Sequence, residues 1–522
     1  MHRVVVALVA LIGLTGAAFV AGYFLLFSAS SDRAAALAPA DSAFYLNIYL
    51  QPSTGQQMNL GGLIGRLPGF ADEASLDDKV DQVVENLLGT TGLTLDYSEQ
   101  IKPWLGNQIA LAGRPTDGDI AAPQVVVIVE VKDRALAEEA LGEVATSGGV
   151  TFTAQTYEDV ELQVADTGAY AFVGDMLVFG DTSAGIEAVV DAQVGEALAD
   201  RADFRATMEG LPADHLASAF VDLAALAETT GTTEQLTAFS TAGAALIAER
   251  DGIRLSGSAP FEIDDAAESS AAGFGLGGEP SSLIDWMPDD TMAELVVFGL
   301  RQTLEDAEAA AASAPEGEQV TSALDTIRAL ASFGFGIDID ADLLPLLDRE
   351  VGIAVSGIEE SLPHGQILLR PEDPEAAAAA LARVVDRLVA TGTATERTEE
   401  GAGTEITVLS VPQVGEIAYA LGDGIIIIGL GVDDVSAAFQ AHADGHTLAV
   451  NDRYLQTFEV AGERAGTEVF VDIGAVVELF GTGLDLPDDA RDILAQIGSF
   501  GFTAPSRTDR IEFHAVLTVD EP

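Results

Sequence analysis

Two histidines have the spacing of metal ligands. His442 and His446 lie four residues apart, so on a helix they would share one face and could hold a transition metal between them. Gly445 lies between them where the helix should end, and no Glu follows His442 as the helix of a zinc protease requires. We therefore expect surface histidines beside the last carbonyl groups of a helix.

A group of aspartates imitates the start of a calcium loop. Carboxylates occupy alternate positions of Asp338–Asp342, as in the first half of an EF-hand loop. The loop then fails, because Leu343 stands where the loop needs Gly and Arg349 where it needs Glu. We expect Asp340 to cap a short helix, as Ser98 would at the equivalent place earlier in the chain. A weak cation site is the alternative.

The other common chemistries lack their residues. The chain has no cysteine, which excludes disulfides, thiolate metal sites and cysteine nucleophiles. Its glycine-rich stretches lack the lysine of a phosphate loop, and no serine hydrolase signature is present. A pair of carboxylates for hydrolysis is defined by distance in space, so it stays open as an alternative. The sequence predicts no catalytic, cofactor-binding or metal-binding residue.

The charge balance limits the partners. The 522 residues include 84 Asp and Glu against 24 Lys and Arg, which gives a formal charge of -60. Such a surface repels phosphate backbones, so nucleic acid is excluded as a partner. Adaptation to saline surroundings is the favoured interpretation, and a sink for cations or basic partners is the other.

The N-terminal segment predicts a membrane anchor within residues 1–30. Val4–Phe27 contains no charge and, at 1.5 Å per helical residue, is longer than the roughly 30 Å core of a bilayer. Arg3 and His2 precede it, which places the N-terminus in the cytoplasm and the bulk of the chain outside. We expect a single-pass protein of the cell membrane. The alternative is a signal peptide cleaved near the small residues Ala34–Ala36.

The second half of the chain echoes the first at an offset of about 240 to 250 residues. The matching segments keep their order and begin at Pro39 and Pro288, Trp104 and Leu346, Val125 and Ile367, Gly174 and Gly422, Ala219 and Val469, and Gly252 and Arg510. The sequence therefore predicts two duplicated domains, residues 38–261 and 283–521. Residues 262–282 are rich in Ala, Gly, Ser and acids and indicate a linker.

Local signals place helices and turns in both halves. Asp133 and Asp373 stand where N-caps belong, ahead of predicted helices at Arg134–Val144 and Glu375–Val389. Gly-Asp turns at Gly174 and Gly422 predict hairpins, because those residues accept the positive backbone angles of a tight turn.

Short turns between strands favour antiparallel pairing, with the inserted helices packed on the sheet. The predicted fold class is therefore α+β. An N-terminal transmembrane helix precedes two duplicated domains, and each domain is a mainly antiparallel sheet with helices packed on it.

The start of the predicted first domain resembles a known family. The pattern APADSAFYLNIYLQP at Ala38–Pro52, with Gln56 and Gln57 and the strand entry at Trp104, is similar to an uncharacterised bacterial family catalogued as domain of unknown function 3352. The resemblance covers nearly the whole chain after the predicted anchor. It implies a membrane-anchored envelope protein and brings no established activity or functional residue.

These observations predict a non-enzymatic interaction or structural module of the cell envelope. Its partners would be the cytoplasmic membrane, through residues 4–27, and an envelope protein or wall polymer. The alternative is a carrier that holds an apolar ligand in a cavity between helices and sheet. A hydrolase that uses carboxylates is the third hypothesis.

Overall fold

The computed structural model divides the chain into two compact units, Met1–Pro260 and Phe261–Pro522. It describes residues 32–66, 97–116, 119–225, 239–261, 279–313, 326, 328–329, 331–332, 336–359, 362–412, 415–480, 494, 496–505, 507 and 509–521. The predicted anchor and residues 262–278 of the predicted linker lie outside these ranges. Across the described ranges, no helix is both long enough and apolar enough to cross a membrane.

The described part of the first unit contains ten antiparallel strands. Their bounds are β1 Phe44–Tyr49, β2 Leu105–Thr116, β3 Asp119–Val131, β4 Thr153–Tyr157, β5 Val160–Ala165, β6 Gly168–Val173, β7 Met176–Gly180, β8 Ala217–Asp222, β9 Thr241–Glu249 and β10 Gly252–Pro260. The strand order is β4-β5-β6-β7-β3-β2-β1-β8-β9-β10.

Helices cover this sheet and close its core. Their bounds are α1 Thr54–Arg66, α2 Arg134–Gly148, α3 Ser183–Ala192 and α4 Ala202–Glu209. Ile186 of α3 and Phe204 of α4 pack against buried strand residues such as Ile128 and Phe220. Burial of these side chains is the main term that holds the unit together.

The second unit also has ten antiparallel strands. Their bounds are β11 Ala293–Phe298, β12 Glu350–Glu359, β13 Leu362–Arg370, β14 Thr395–Gly401, β15 Thr404–Val411, β16 Gly415–Gly422, β17 Ile425–Gly429, β18 Thr467–Asp472, β19 Ile497–Ala504 and β20 Arg510–Val519. The strand order is β14-β15-β16-β17-β13-β12-β11-β18-β19-β20.

Helices lie on both faces of this second sheet. Their bounds are α5 Leu300–Ser313, α6 Pro374–Ala390, α7 Val432–Asp444, α8 Asp452–Ala461 and α9 Ile473–Phe480. Val435 of α7 and Phe458 of α8 pack with Leu368 and Ile427 on one face. Helix α6 packs on the opposite face. Antiparallel sheets with helices packed on them confirm the predicted mixture of helix and sheet in each unit.

The predicted caps and turns are confirmed. The side chains of Asp133 and Asp373 each accept hydrogen bonds from the N–H groups two and three residues further on, at the starts of α2 and α6. Gly174 turns between β6 and β7 with a φ of +64°. In the second hairpin Gly422 is the last residue of β16, so the turn begins one residue later than predicted, with φ of +48° at Asp423 and +78° at Gly424. Gly445, with a φ of +72°, ends α7. Local sequence therefore determines where these elements begin and end.

Candidate functional site

Helix α6 covers part of one face of the second sheet. Ala377 on this helix belongs to a buried cluster with Val351 of β12, Leu369 of β13 and Ile426 of β17. Val351 pairs with Leu369, and Leu369 pairs with Ile426, so the three side chains form one row across the sheet. All three are buried.

The next row on the same face is open. Because side chains alternate between the faces of a strand, Ile353, Ile367 and Ile428 point the same way as the buried row. Ile353 pairs with Ile367, and Ile367 pairs with Ile428. Ile353 is 40% exposed and Ile367 is 43% exposed. The two isoleucines therefore form a small apolar patch on the surface of the described second unit.

This row forms the floor of a groove of about 320 Å³, which we call the aliphatic groove. Its lining residues are Ile353, Ala354, Val355, His364, Gly365, Gln366, Ile367, Ile417, Ile428, Gly429 and Leu430. None of these described lining residues carries a carboxylate, an ammonium or a guanidinium group. The volume lies at the lower end of the range for sites that bind small molecules, roughly 300 to 1,000 Å³.

A bulge and two glycines shape the aliphatic groove. The register of β12 against β13 shifts between Val355 and Gly357. A Cβ atom on Gly365, which faces Val355, would collide with the carbonyl oxygen of Ala354. A Cβ atom on Gly429 would collide with helix α7. The strands can approach this closely because glycine stands at both positions.

Polar groups behind the floor of the aliphatic groove, on the face of the sheet that α7 covers, hold one end of it in place. His364 Nδ1 lies 3.2 Å from Oδ1 of the buried Asp434. Gln366 Nε2 donates to the backbone carbonyl of Asp434 at 2.9 Å. The second carboxylate oxygen of Asp434 accepts the N–H of Leu430 at 3.0 Å. These contacts hold Leu430, a groove residue, against the start of α7.

The sequence interpretation did not identify this groove, although one signal was present. Ile425–Ile428 is apolar at every position, which indicates a strand with apolar side chains on both faces. Helix α7 covers one of these faces. Which part of the other face stays open depends on where α6 lies, and the position of α6 cannot be read from strand periodicity.

The two predicted surface histidines contact different neighbours. His442 Nδ1 lies 2.8 Å from the backbone carbonyl of Asp285, and its ring stacks on Trp286 at 3.7 Å. His446 Nδ1 lies 3.5 Å from the carboxylate of Asp289. Each imidazole is therefore held through Nδ1 by a separate partner.

The predicted cap at Asp340 is wrong by two residues. Asp338 is the residue that accepts the N–H of Ala341, at 3.1 Å, ahead of the short helical turn Ile339–Leu343. Its extended backbone, with φ -93° and ψ 108°, is the conformation that an N-cap needs. Ser98 likewise lies inside the turn Tyr97–Ile101 and not ahead of it.

Arginines bind the carboxylates of the apparent calcium loop. Asp342 is buried and accepts hydrogen bonds from Arg383, at 3.0 Å, and from Arg387. Asp340 pairs with Arg328 at 3.1 Å. Burial opposes ionisation of Asp342, but the hydrogen bonds from the Asp338 N–H and the two arginines outweigh it and lower the pKa of Asp342. Guanidinium groups thus supply the positive charge that a calcium ion would bring.

A second cluster has metal-ligand chemistry. Glu463, Glu512 and His514 each have one ligand atom within 4.8 Å of the others. Arg507 lies beside this cluster, with Nε 3.0 Å from Glu512 and a further contact to Glu463. The guanidinium group forms ion pairs with both carboxylates, so we interpret the cluster as an ion-pair network.

Glu294 and Glu468 are two further buried carboxylates of the second unit, and they interact with each other. Tyr454 donates a hydrogen bond to Glu468, and Arg464 Nε lies 3.4 Å from the same carboxylate. Burial raises the pKa of Glu294 to about 8, and Arg464 opposes this shift only in part. Burial also raises the pKa of Glu468, and Glu294 adds to that shift. Because both carboxylates are sealed from solvent, they do not form an open cleft.

These features define a class of protein that has two units. Each unit is an antiparallel sheet with helices packed on it, and the second unit carries the open aliphatic groove. The chain belongs to the family described as protein of unknown function (DUF3352), whose model matches residues 4–517. This match confirms the resemblance carried by Ala38–Pro52.

Comparison with other proteins adds distant similarities. No curated protein matches the sequence. The chain is similar to a solved structure of crystal form III of TP0453, with 11% identity, a TM-score of 0.24, and coverage of 47% of this chain and 87% of that chain. It is also similar to crystal form I of TP0453, with 11% identity, a TM-score of 0.22, and coverage of 46% and 84%.

Proposed function

We propose that the protein is a membrane-anchored, extracytoplasmic and non-enzymatic binding module of the cell envelope, and that the aliphatic groove is its recognition surface. The observation that carries the proposal is the open row of Ile353 and Ile367 beside the buried row beneath α6. Exposing such side chains costs free energy in water, so a surface of this kind is retained where a partner covers it.

The segment after the proposed anchor supports retention of that anchor. Ala34, Ala35 and Ala38 are buried in the core of the first unit. Cleavage within Ala34–Ala36 would remove residues that this core contains. The uncharged Val4–Phe27 segment would then stay attached and hold the protein in the membrane.

Asp32 fastens the same segment. Its carboxylate accepts hydrogen bonds from Tyr45 Oη at 2.7 Å, from Gln108 Nε2 at 2.6 Å and from the N–H of Ala35 at 3.1 Å. Burial raises the pKa of Asp32, and these hydrogen bonds oppose the increase. The first unit therefore requires Asp32, which lies only a few positions beyond the apolar segment.

Arg33 forms two ion pairs, which together clamp the start of the described chain to the first unit. Its guanidinium group lies 2.8 Å from Glu130 and 2.5 Å from Asp175. These contacts join the start of the described chain to the end of β3 and to the turn before β7. Both partners lie more than 90 residues away in sequence, at separations of 97 and 142, so the clamp forms only in the folded unit.

We further propose that the two units are duplicated copies of one domain, with residues 262–282 as the linker between them. The support is the strand order, which is the same in the two sheets. Each strand of the first sheet corresponds to the strand numbered ten higher in the second, so β1 lies between β2 and β8 as β11 lies between β12 and β18. The Asp133 and Asp373 caps and the Gly174 and Gly424 turns fall at equivalent places in these orders.

Photocrosslinking in intact cells tests the binding surface. The photoreactive amino acid benzoylphenylalanine replaces Ile367 in the groove or, as a matched control, Leu455 on α8, which is 46% exposed. We expect irradiation to give adducts from position 367 and none from position 455. Equal adduct formation at the two positions, or none at position 367, would contradict the proposal.

A further inference from the structure

We infer that the aliphatic groove binds a single hydrocarbon chain whose head group carries no negative charge, that is, a neutral or cationic ligand of the lipid class. This inference rests on the proposed function of the groove and names its ligand.

The first argument is the chemistry of the lining. Ile353, Ile367, Ile417, Ile428 and Leu430 present methyl and methylene groups to the groove. Interfaces between proteins depend on Trp, Tyr and Arg anchors, and none of these is among the described lining residues. Contact between saturated carbons alone suits a hydrocarbon chain, which is stabilised by each CH₂ group that it removes from water.

The second argument is the hydrogen bonding of the floor. Strand β13 is paired on both sides, with β12 and with β17, and β17 is paired in turn with β16. The floor of the groove therefore offers no free strand edge to a polypeptide. A peptide lying on it would leave its N–H and C=O groups against an apolar surface, which is unfavourable for each unpaired group. A hydrocarbon chain brings no such groups.

The third argument is size. Eleven of the described residues line the groove, whereas a stable protein interface uses roughly 20 to 30 residues on each side. A volume of about 320 Å³ matches a small ligand. One chain therefore fills the groove, and a folded partner would extend far beyond it.

The fourth argument concerns the head group. The described lining carries no guanidinium or ammonium group that could bind an anionic head group, and the side chains of its two polar residues, His364 and Gln366, turn to Asp434 on the opposite face of the sheet. The whole chain carries a formal charge of -60. This field lowers the local concentration of anions, so an anionic head group is disfavoured against a neutral or cationic one.

Label transfer tests the inference on the full chain held in phosphatidylcholine nanodiscs. Three photoreactive probes share a dodecyl chain with a terminal diazirine and differ in the head group, which is maltoside, trimethylammonium or carboxylate. After irradiation and digestion, the labelled peptides are mapped. We expect the maltoside and ammonium probes to label peptides from β12, β13 and β17, and the carboxylate probe to label them about tenfold less at low salt.

Variants of the groove and of a control position distinguish labelling in the groove from labelling caused by general insertion of the probe into lipid. Ile353→Asn with Ile367→Asn should lower the labelling of these peptides by about tenfold, because polar groups then meet the chain. Leu455→Asn, an exposed aliphatic position outside the groove, should leave it unchanged. All variants see the same nanodisc, so partition of the probe into lipid cancels. If the double Asn variant does not fold, Ile353→Ala with Ile367→Ala should fold and lower the labelling severalfold.

The outcomes distinguish this inference from the proposed function. Labelling that is the same in wild type and groove variants, or that favours the carboxylate probe, overturns the inference. If no probe labels the groove while position 367 captures a polypeptide in cells, the hydrocarbon ligand is wrong and the proposed binding surface stands. If position 367 captures nothing and no probe labels the groove, both are wrong.

Discussion

Ile353 lies directly opposite Ile367 across β12 and β13, with both side chains open to solvent, whereas the neighbouring pair Val351 and Leu369 on the same face is buried. The two pairs differ only by one step of two residues along each strand. The difference arises from the cover over the buried pair, which includes Ala377 of α6 and Leu346 of the turn before β12. The edge of this cover thus divides a buried core from the open row of the aliphatic groove.

Truncating a buried side chain of this sheet face should lower the free energy of unfolding much more than truncating a side chain of the open row. Leu369→Ala should lower the free energy of unfolding by about 2 to 5 kcal/mol, because it leaves a cavity beneath α6. Ile367→Ala should change it by only about 0.5 kcal/mol, since the side chain is already 43% exposed. Urea unfolding of both variants measures the difference. Equal losses would show that Ile367 is covered in the free protein.

The carboxylate of Asp342 should matter for stability, and that of Asp340 should not. Asp342→Asn weakens the hydrogen bonds from Arg383 and Arg387, and we expect a loss of about 1 to 3 kcal/mol at pH 7. Asp340→Asn is the control on the same turn and should stay within about 0.5 kcal/mol. Thermal unfolding with and without a chelator measures both, and the chelator should leave every curve in place.

The ion pairs of Asp342 with Arg383 and Arg387 predict that the stability of the protein depends on pH. Because the folded state lowers the pKa of Asp342, its contribution is fully present above the ordinary value of 3.8 and is lost as the pH falls through the lower folded value. The gap between wild type and Asp342→Asn should therefore close in acid. A gap that stays constant from pH 7 to pH 2 would show that the ion pairs with the arginines do not form.

Local chemistry made some features predictable and left others hidden. The Asp133 cap and the Gly174 turn depend on residues adjacent in sequence, so the local sequence pattern alone predicts them. The cap at Asp338 was missed because its backbone angles, and not its spacing, decide which aspartate accepts the N–H. The aliphatic groove and the burial of Glu294 arise from contacts between distant elements, and one sequence contains no direct record of those contacts.

Glu294 predicts that the second unit loses stability as the pH rises. Its pKa is about 8 in the folded protein and 4.5 ordinarily, so the folded state keeps a proton that the unfolded state has lost. The stability from this proton is fully present below pH 4.5 and is lost as the pH rises through about 8. Glu294→Gln, which stays neutral, should melt at a higher temperature than wild type at pH 8 and at a similar temperature at pH 4.

Glu459→Gln on the exposed side of α8 controls for the change in net charge. It should keep the melting behaviour of wild type between pH 4 and pH 8. If the melting temperature of Glu294→Gln falls with rising pH as steeply as that of wild type, the pH dependence belongs to another group. Glu468 is the nearest candidate.

The N-terminus of the mature protein tests the proposed anchor. We expect intact mass and N-terminal sequencing of the membrane fraction to recover residues 1–30, because Asp32 and Ala34 are built into the first unit. Asp32→Ala leaves the phenol of Tyr45 and the amide of Gln108 without their acceptor and should cost about 1 to 3 kcal/mol. A mature N-terminus between residues 31 and 37 would refute the anchor.

Salt should stabilise the protein through its charge. A surface with a formal charge of -60 repels itself across its whole extent, which works against the compact state. The screening length falls from about 10 Å at 0.1 M salt to about 3 Å at 1 M, so added sodium chloride should weaken this repulsion. Thermal unfolding should therefore move to higher temperature over that range.

The choice of salt separates screening from other effects. Sulfate also strengthens apolar burial, and chloride largely avoids that contribution. Asp342→Asn should respond to sodium chloride as wild type does, because removing one carboxylate of 84 hardly alters the total charge. A melting temperature that is flat or falls with added sodium chloride would show that pairs such as Asp342 with Arg383, or bound cations, already balance the carboxylates. That result would favour cation binding over adaptation to a saline habitat as the reason for the acidity.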